Sequence, residues 1–210
     1  MTQTDESLKG KNLVTTIKER CRVCYTCVRE CPANAIKISN GQAEVIPERC
    51  IGCGNCIKVC SQNAKVFRNE IIKTRSLLKS DQPVAAIVAP SFPAEFSEIR
   101  NHRLLVSLIR AQGFKYVAEV SFGADLVAAE YGKILKSQTY PPLISSDCPA
   151  IVSYIEHYHP GLIDSLARIV SPMVAMTRVM RKKYGKDLKI VFIGPCIAKK
   201  EESYGGDDAL

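Results

Sequence analysis

The sequence predicts two domains of different fold class, a small α+β domain at the N-terminus followed by an α/β domain with a parallel sheet. Cysteines are concentrated between residues 21 and 60. Strand-like and helix-like patterns alternate after residue 83. A chain of 210 residues also has room for a small domain and one domain with an ordinary hydrophobic core. We therefore place the domains at 1–80 and 81–210.

An internal repeat organises the first domain. Its four cysteines recur 29 residues later, as Cys21, Cys24, Cys27 and Cys31 and then Cys50, Cys53, Cys56 and Cys60. Between the last cysteine of one copy and the first of the next, two short alternating stretches flank Asn40-Gly41, a strong signal for a two-residue hairpin turn. Each copy is too small to bury a core of its own, so we expect the copies to pack about a pseudo-twofold axis.

The spacing of these cysteines is specific for iron–sulfur chemistry. Each copy resembles the bacterial ferredoxin run, in which three closely spaced thiolates bind one cluster and the fourth binds the other. The resemblance implies two 4Fe-4S clusters, with the ligand sets Cys21, Cys24, Cys27 and Cys60, and Cys50, Cys53, Cys56 and Cys31. Gly52 and Gly54 are expected to let backbone N–H groups approach the sulfurs. A pair of zinc sites is the weaker alternative, because zinc ribbons rarely repeat such a motif in tandem.

The second domain begins after a polar stretch, Asn69 to Pro83, that is expected to be a connector. Beyond it we predict strands at 84–89, 114–120, 143–146 and 188–193, and helices at 95–112, 124–136 and in segments up to residue 184. Gly113 is a plausible C-cap, and Met173, Met176 and Met180 have the helical spacing of core residues. This alternation favours a parallel sheet with helices on both faces.

Charge and hydropathy narrow the classes of function. The net charge is +8, and residues 1–80 hold 14 Lys and Arg against 7 Asp and Glu, which favours an acidic redox partner. Nucleic-acid binding is not favoured, because no segment interleaves aromatic with basic residues. No apolar stretch approaches the roughly 18 residues of a membrane span, and Met1 to Asn12 is polar. We therefore expect a cytoplasmic protein whose ten cysteines serve metal or redox chemistry.

Two further cysteines lie outside the repeat. Cys148 and Cys196 each follow a predicted strand and precede a predicted helix, where helix N–H groups favour a thiolate. Lys199 lies three residues beyond Cys196, on the same helical face. Physical reasoning alone also allows two inert, buried cysteines, since free cysteine is among the most buried residue types.

The second domain resembles the catalytic domain of the FeFe hydrogenases and their sensory or non-catalytic relatives. The segments that carry the resemblance are Ala89-Pro90-Ser91, Phe122-Gly123-Ala124-Asp125-Leu126 with Glu130, Ser145-Ser146-Asp147-Cys148-Pro149, and Gly194-Pro195-Cys196-Ile197-Ala198-Lys199-Lys200-Glu201. The resemblance implies that Cys148 and Cys196 match ligands of the 4Fe-4S part of the H-cluster. Lys199 matches the lysine that contacts the diiron part. Asp147 stands where the family has its proton-relay cysteine, so Asp147 and Lys199 are candidate catalytic residues.

The sequence also departs from the family pattern. The relay glutamates of the family fall on Tyr131 and Ile134, and the last family motif, with two further cysteines, is absent before Leu210. Because metal sites need their full ligand set, we expect no hydrogen turnover by this chain alone. The second domain is interpreted as incomplete, to be completed by a further C-terminal domain or a partner chain. Only then would a third 4Fe-4S cluster or an H-cluster be held.

Three functional hypotheses follow. The favoured one is an iron–sulfur electron-transfer protein of the redox-sensing, hydrogen-sensing or regulatory kind. The second is the N-terminal part of a hydrogen-evolving or hydrogen-oxidising enzyme in which Asp147 carries protons. The third is a pure ferredoxin-type electron carrier whose second domain is a scaffold.

Overall fold

A computed structural model describes residues 12–99, 101–136 and 143–203 of the chain. These residues form two compact units. Within the described ranges, unit one contains the residues up to Asn69 together with Cys148–Asp164 and Cys196–Glu202. Unit two contains the described residues from Glu70 to Asp147, Ser165–Pro195 and Ser203. The predicted domain boundary at residue 80 concerns the linear sequence, and it stays a prediction because each compact unit is assembled from segments that are separate in that sequence. The polar N-terminal residues and the chain end at Leu210 lie outside the described ranges.

The elements follow one another with short connections. In chain order they are β1 (Val14–Thr16), α1 (Thr26–Arg29), β2 (Ile36–Ser39), β3 (Gln42–Val45), α2 (Asn55–Lys58), β4 (Lys65–Phe67), α3 (Ile71–Leu78), β5 (Val84–Val88), α4 (Phe92–Glu95), α5 (His102–Ala111), β6 (Tyr116–Glu119), α6 (Ser121–Lys136), α7 (Pro149–Tyr158), α8 (Pro172–Tyr184), β7 (Lys189–Ile193) and α9 (Lys199–Glu202). Short 3₁₀ turns occupy Lys18–Arg20, Pro47–Arg49 and Pro160–Ser165. None of the described helices is long and apolar enough to cross a membrane.

Unit one is built on two antiparallel strand pairs. Strands β2 and β3 form the predicted hairpin. Its turn residues Asn40 and Gly41 have φ of 50° and 68°, which is the positive φ that a type I′ turn requires at both positions. Strand β1 pairs with β4, so that Thr16 lies opposite Lys65. The prediction of short strands and cysteine loops is confirmed.

Unit two is a parallel three-stranded sheet of order β6-β5-β7. The central strand β5 is buried along its whole length, and its alternate residues face opposite sides. One side packs on α8, in a cluster that includes Ala85, Ile87, Met173, Met176 and Met180. The other side packs on α3 and α5, in a cluster that includes Val84, Ala86, Leu77, Leu78 and Ile109. The predicted α/β class, with helices on both faces, and the core position of the methionines are therefore confirmed.

Three local predictions were wrong. The stretch from Asn69 to Pro83 is not a simple connector, because α3 forms there and packs two half-buried leucines against the core. The single helix expected at 95–112 is broken at Phe96, with φ −111° and ψ 46°, and helix α5 begins after the N-cap Asn101, whose side chain accepts from the Arg103 N–H at 3.0 Å. The strand expected at 143–146 is reduced to one parallel bridge between Ile144 and Leu166.

Candidate iron–sulfur sites

The first cavity of unit one is here called site one. Its walls include the four cysteines Cys21, Cys24, Cys27 and Cys60. Three of them come from the first copy of the repeat and one from the second. The cavity thus brings together the residues that the ferredoxin resemblance had grouped.

The second cavity, site two, has the reciprocal composition. Its walls include Cys31, Cys50, Cys53 and Cys56. Within the described ranges no three His, Cys, Asp or Glu side chains are arranged to hold a single metal ion. The four cysteines that line each cavity match the four thiolates that bind a 4Fe-4S cluster. The assignment of individual ligands stays a prediction.

The loops that carry the cysteines repeat the same backbone conformation in both copies. In the second copy Gly52, Gly54 and Asn63 have φ of 68°, 78° and 47°. In the first copy the equivalent positions hold Val23, Tyr25 and Asn34, with φ of 52°, 62° and 45°. A left-handed Val or Tyr costs on the order of 1–3 kcal/mol, and such strain persists where the surroundings determine the conformation. Both copies adopt these left-handed conformations because in each of them the chain wraps around a cavity.

Backbone N–H groups donate to Cys31 and Cys60, the cysteine of each copy that lines the cavity formed mainly by the other copy. Ala35 N lies 3.3 Å from Cys31 Sγ, and Ala64 N lies 3.3 Å from Cys60 Sγ. Each donor lies four residues after its cysteine, which is followed directly by a proline in the first copy and a serine in the second. The asparagine just before the donor has a left-handed conformation and turns the chain back. Hydrogen bonds to sulfur are a main determinant of cluster potential. The donor set therefore fits 4Fe-4S clusters in chemistry as well as in space.

Hydrogen bonding lowers the pKa of one cysteine thiol in unit one, and burial raises the pKa of three others. Cys24 lies at the surface with Sγ 3.5 Å from Thr26 Oγ1, and the hydrogen bonds from Thr26 lower its pKa. Burial raises the pKa of Cys27 and of Cys50, where a hydrogen bond from the Gly52 backbone opposes the effect of burial. Burial raises the pKa of Cys56 to about 12. Iron must therefore displace the protons of the buried thiols, because thiolates are the metal ligands.

Sequence reasoning missed one residue of site one, Lys65. Its side chain is 3% exposed and lines the site-one cavity. Its Nζ donates to Thr16 Oγ1 at 2.6 Å and to the Ala43 carbonyl at 2.8 Å. Alignment of the two repeat copies could have identified it, because Lys65 occupies the position at which the first copy has the apolar residue Ile36.

Cys148 and Cys196 are placed in unit one, not with the sheet of unit two. Both are exposed, so the alternative of two buried structural cysteines is wrong. Cys148 is the N-cap of α7, as predicted. Helix α7 is fixed by Tyr158, whose hydroxyl donates to the Ala33 carbonyl and, at 3.1 Å, to the Arg49 carbonyl. Their role as H-cluster ligands stays a prediction.

The candidate catalytic residues lie in different units. In unit two, Asp147 Oδ2 accepts from Ser145 Oγ at 3.0 Å, and Ser145 Oγ accepts from the Tyr131 hydroxyl at 3.2 Å. In unit one, Lys199 Nζ donates to Glu202 Oε2 at 2.7 Å, with both side chains largely buried. Asp147 is thus joined to Tyr131 by hydroxyl groups, while Lys199 is engaged with a neighbouring carboxylate. Their catalytic roles stay predictions.

Comparisons with known families match both parts of the chain. A family described as iron only hydrogenase large subunit, C-terminal domain, matches residues 82–207. A 4Fe-4S dicluster domain matches residues 13–61, the range that contains the eight repeated cysteines. The chain therefore carries two 4Fe-4S clusters.

Curated relatives include both hydrogenase and assembly proteins. The cytosolic Fe-S cluster assembly factor NAR1 of Yarrowia lipolytica is 26% identical over 123 residues, which cover 54% of this chain and 25% of that protein. The NADP-reducing hydrogenase subunit HndD of Solidesulfovibrio fructosivorans is 29% identical over 115 residues, which cover 47% of this chain and 20% of that protein. The matched region is thus a quarter or less of each relative.

Solved structures of hydrogenases share the fold. The [FeFe]-hydrogenase HydA(deltaEFG) matches with a TM-score of 0.58 and 25% identity over 68% of this chain and 42% of that chain. The apo [FeFe]-hydrogenase HydA1 from Chlamydomonas reinhardtii matches with a TM-score of 0.57 and 24% identity over 67% of this chain and 42% of that chain. Since the family match covers more than half of the sequence, the chain belongs to the iron-only hydrogenase large-subunit family.

Proposed function

We propose that this chain is a two-cluster electron-transfer protein whose hydrogenase-like part serves redox or hydrogen sensing rather than hydrogen turnover. The observation that supports electron transfer is the pair of cavities, each lined by three cysteines of one repeat copy and one of the other. A 4Fe-4S cluster bound there accepts and releases one electron at a time.

The residues of unit one prepare each site for this role. Cys21, Cys24, Cys27 and Cys60 would hold one cluster, and Cys31, Cys50, Cys53 and Cys56 the other. The N–H groups of Ala35 and Ala64 donate to the crossing sulfurs and stabilise their negative charge. The partial exposure of Cys24 and Cys53 leaves each site one sulfur near the surface, where a redox partner can approach.

Two features argue against hydrogen turnover by these residues alone. Cys148 and Cys196 are the remaining cysteines of the sequence, and two thiolates do not complete a four-thiolate cluster site. The carboxylate of Asp147 stands where the family has a relay cysteine, and Ile134, at a relay position, cannot carry a proton. A third cluster or an H-cluster would need thiolates from a further segment or a partner chain.

A second candidate function is a role in iron–sulfur cluster assembly. The similarity to NAR1 from several organisms, at 26–31% identity, favours it. In that case clusters would pass through the protein rather than stay in it. The exposed pair Cys148 and Cys196 would then be the natural place for transient binding.

The partner and the compartment follow from charge and from the relatives. The excess of basic residues in residues 1–80 would attract an acidic redox protein to the cluster-bearing unit. We place the protein in the cytoplasm, because several relatives are named as cytosolic factors.

Electron counting tests the proposal. Anaerobically purified full-length protein should take up about two electrons per chain from a one-electron donor and return them to an oxidised viologen. Hydrogen should not be evolved from the reduced protein. The Cys148→Ala/Cys196→Ala variant is the matched control and should behave identically. Uptake below one electron would contradict electron transfer. Transfer of a cluster to an added apo-acceptor protein, measured in a parallel experiment, would favour the assembly function.

A further inference from the structure

Lys65 is a buried cation for which the described part of the chain provides no counter-ion. Its two hydrogen bonds go to a hydroxyl and a carbonyl, neither of which carries charge. The acceptors are themselves joined, because the Thr16 hydroxyl donates to the Ala43 carbonyl. An ammonium has three N–H donors, so one remains after these bonds. Buried charges are normally paired with an opposite charge or bound to a metal. The burial of this lysine therefore needs an explanation.

The repeat shows that packing does not require a lysine at this position. Ile36 is the equivalent residue of the first copy and is also buried, at 7% exposed. It belongs to the apolar cluster formed with Cys27 and Ala43. Because the same fold accommodates an isoleucine in one copy, the charge in the other copy points to a local need for positive charge.

A cluster held at site one would supply the negative charge that Lys65 lacks as a counter-ion. Lys65 lines the site-one cavity but is absent from the lining of site two. A 4Fe-4S cluster with four thiolates carries a charge of roughly −2, and reduction by one electron adds another negative charge. Burial raises the pKa of Cys27 at site one and of Cys56 at site two, and the Lys65 charge opposes that effect at both thiols. The lysine therefore acts electrostatically on a sulfur of each site, but it lines only the cavity of site one.

We infer that Lys65 is a positioning residue that sets the potential of the site-one cluster by balancing its charge, so that an electron entering the pair resides at site one. The inference rests on the proposed electron-transfer function. The reduced cluster is one charge more negative than the oxidised cluster, so a fixed neighbouring cation favours reduction. One electron then moves from the reduced cluster of site two to the oxidised cluster of site one, without proton transfer.

Potentiometric titration followed by EPR tests the inference on the anaerobic full-length protein. The two midpoints are first assigned with Cys24→Ser and Cys53→Ser, each of which changes a ligand of one site. In Lys65→Met the reduced-to-oxidised ratio at site one should fall at least tenfold at a fixed potential, which is about 59 mV for a one-electron couple. The site-two ratio should change less.

Two controls separate charge from structure. Lys37→Met removes one positive charge from the exposed face of β2, where water screens it, and should leave both ratios within about twofold of wild type. Lys65→Arg keeps the charge and should stay close to wild type. If Lys65→Met does not retain its iron, Lys65→Gln decides the matter, because it keeps a donor without the charge.

Equal midpoints in Lys65→Met and Lys37→Met, or in Lys65→Gln and Lys37→Met, would overturn the inference. That result would leave the proposed function intact, since two reducible clusters would still be present. Wild-type protein without two reducible clusters would instead overturn the proposed function.

Discussion

Gly52 and Gly41 offer a matched test of how the site-two loop is packed. Both have φ of +68°, so an alanine at either position is strained to the same extent. An added Cβ at Gly41 would meet nothing within 4 Å. At Gly52 it would lie 2.8 Å from Leu13 Cδ2 and 3.1 Å from the Ala198 Cα, and the backbone atom cannot move aside as a side chain can.

The magnitudes follow from these contacts. The left-handed conformation costs an alanine about 1–2 kcal/mol, and the lower entropy of its unfolded chain returns about 0.5–1 kcal/mol. Gly41→Ala should therefore destabilise unit one by about 1 kcal/mol. Overpacking adds about 1–3 kcal/mol, so Gly52→Ala should lose about 3 kcal/mol.

Amide hydrogen exchange of the anaerobic full-length protein measures both changes locally. Because about 1.4 kcal/mol corresponds to a tenfold change in an equilibrium, exchange in the site-two loop should accelerate about fivefold in Gly41→Ala and about 100-fold in Gly52→Ala. The two variants would exchange alike if the loop does not pack on Ala198, and that result would refute the reasoning.

Two further predictions concern helix packing, one in each unit. Gly123→Ala should destabilise unit two by about 1–3 kcal/mol, because the new Cβ would lie 2.3 Å from the Pro172 carbonyl oxygen. A Cβ at Gly132 on the same helix meets open space, so Gly132→Ala should stabilise the helix by up to about 1 kcal/mol. The midpoints of urea unfolding measure both variants. A midpoint for Gly123→Ala equal to or above that of Gly132→Ala would contradict the packing of α6 on α8. Tyr158→Phe should cost about 1–2 kcal/mol through its lost hydrogen bonds, seen as faster amide exchange in α7, whereas unchanged exchange would show that these bonds do not fix the helix.

Local chemistry made much of unit one predictable. The resemblance of the cysteine runs to the ferredoxin pattern grouped the residues that line the two cavities. Asn40-Gly41 predicted the hairpin turn, because few other residue pairs adopt two positive φ angles. The unbroken apolar run of β5 likewise indicated a strand covered on both faces.

The remaining features depend on contacts distant in sequence. Helix α3 looked polar because the leucines that bury it, Leu77 and Leu78, lie at its end and pack on β5 and Phe114. The burial of Lys65 depends on the Thr16 hydroxyl across the strand pair, which is 49 residues away in the sequence and which local pattern does not reveal. The association of Cys148 and Cys196 with unit one also arises from tertiary packing and not from local pattern.

The central claim is that the eight repeated cysteines hold two 4Fe-4S clusters and that Cys148 and Cys196 hold none in this chain alone. Iron and acid-labile sulfide content of anaerobically purified protein, with EPR of the reduced state, tests it most directly. The claim predicts about eight irons per chain in both the wild type and the Cys148→Ala/Cys196→Ala variant. About twelve irons in the wild type, falling to about eight in the variant, would contradict it and would establish a third cluster at the hydrogenase-like cysteines.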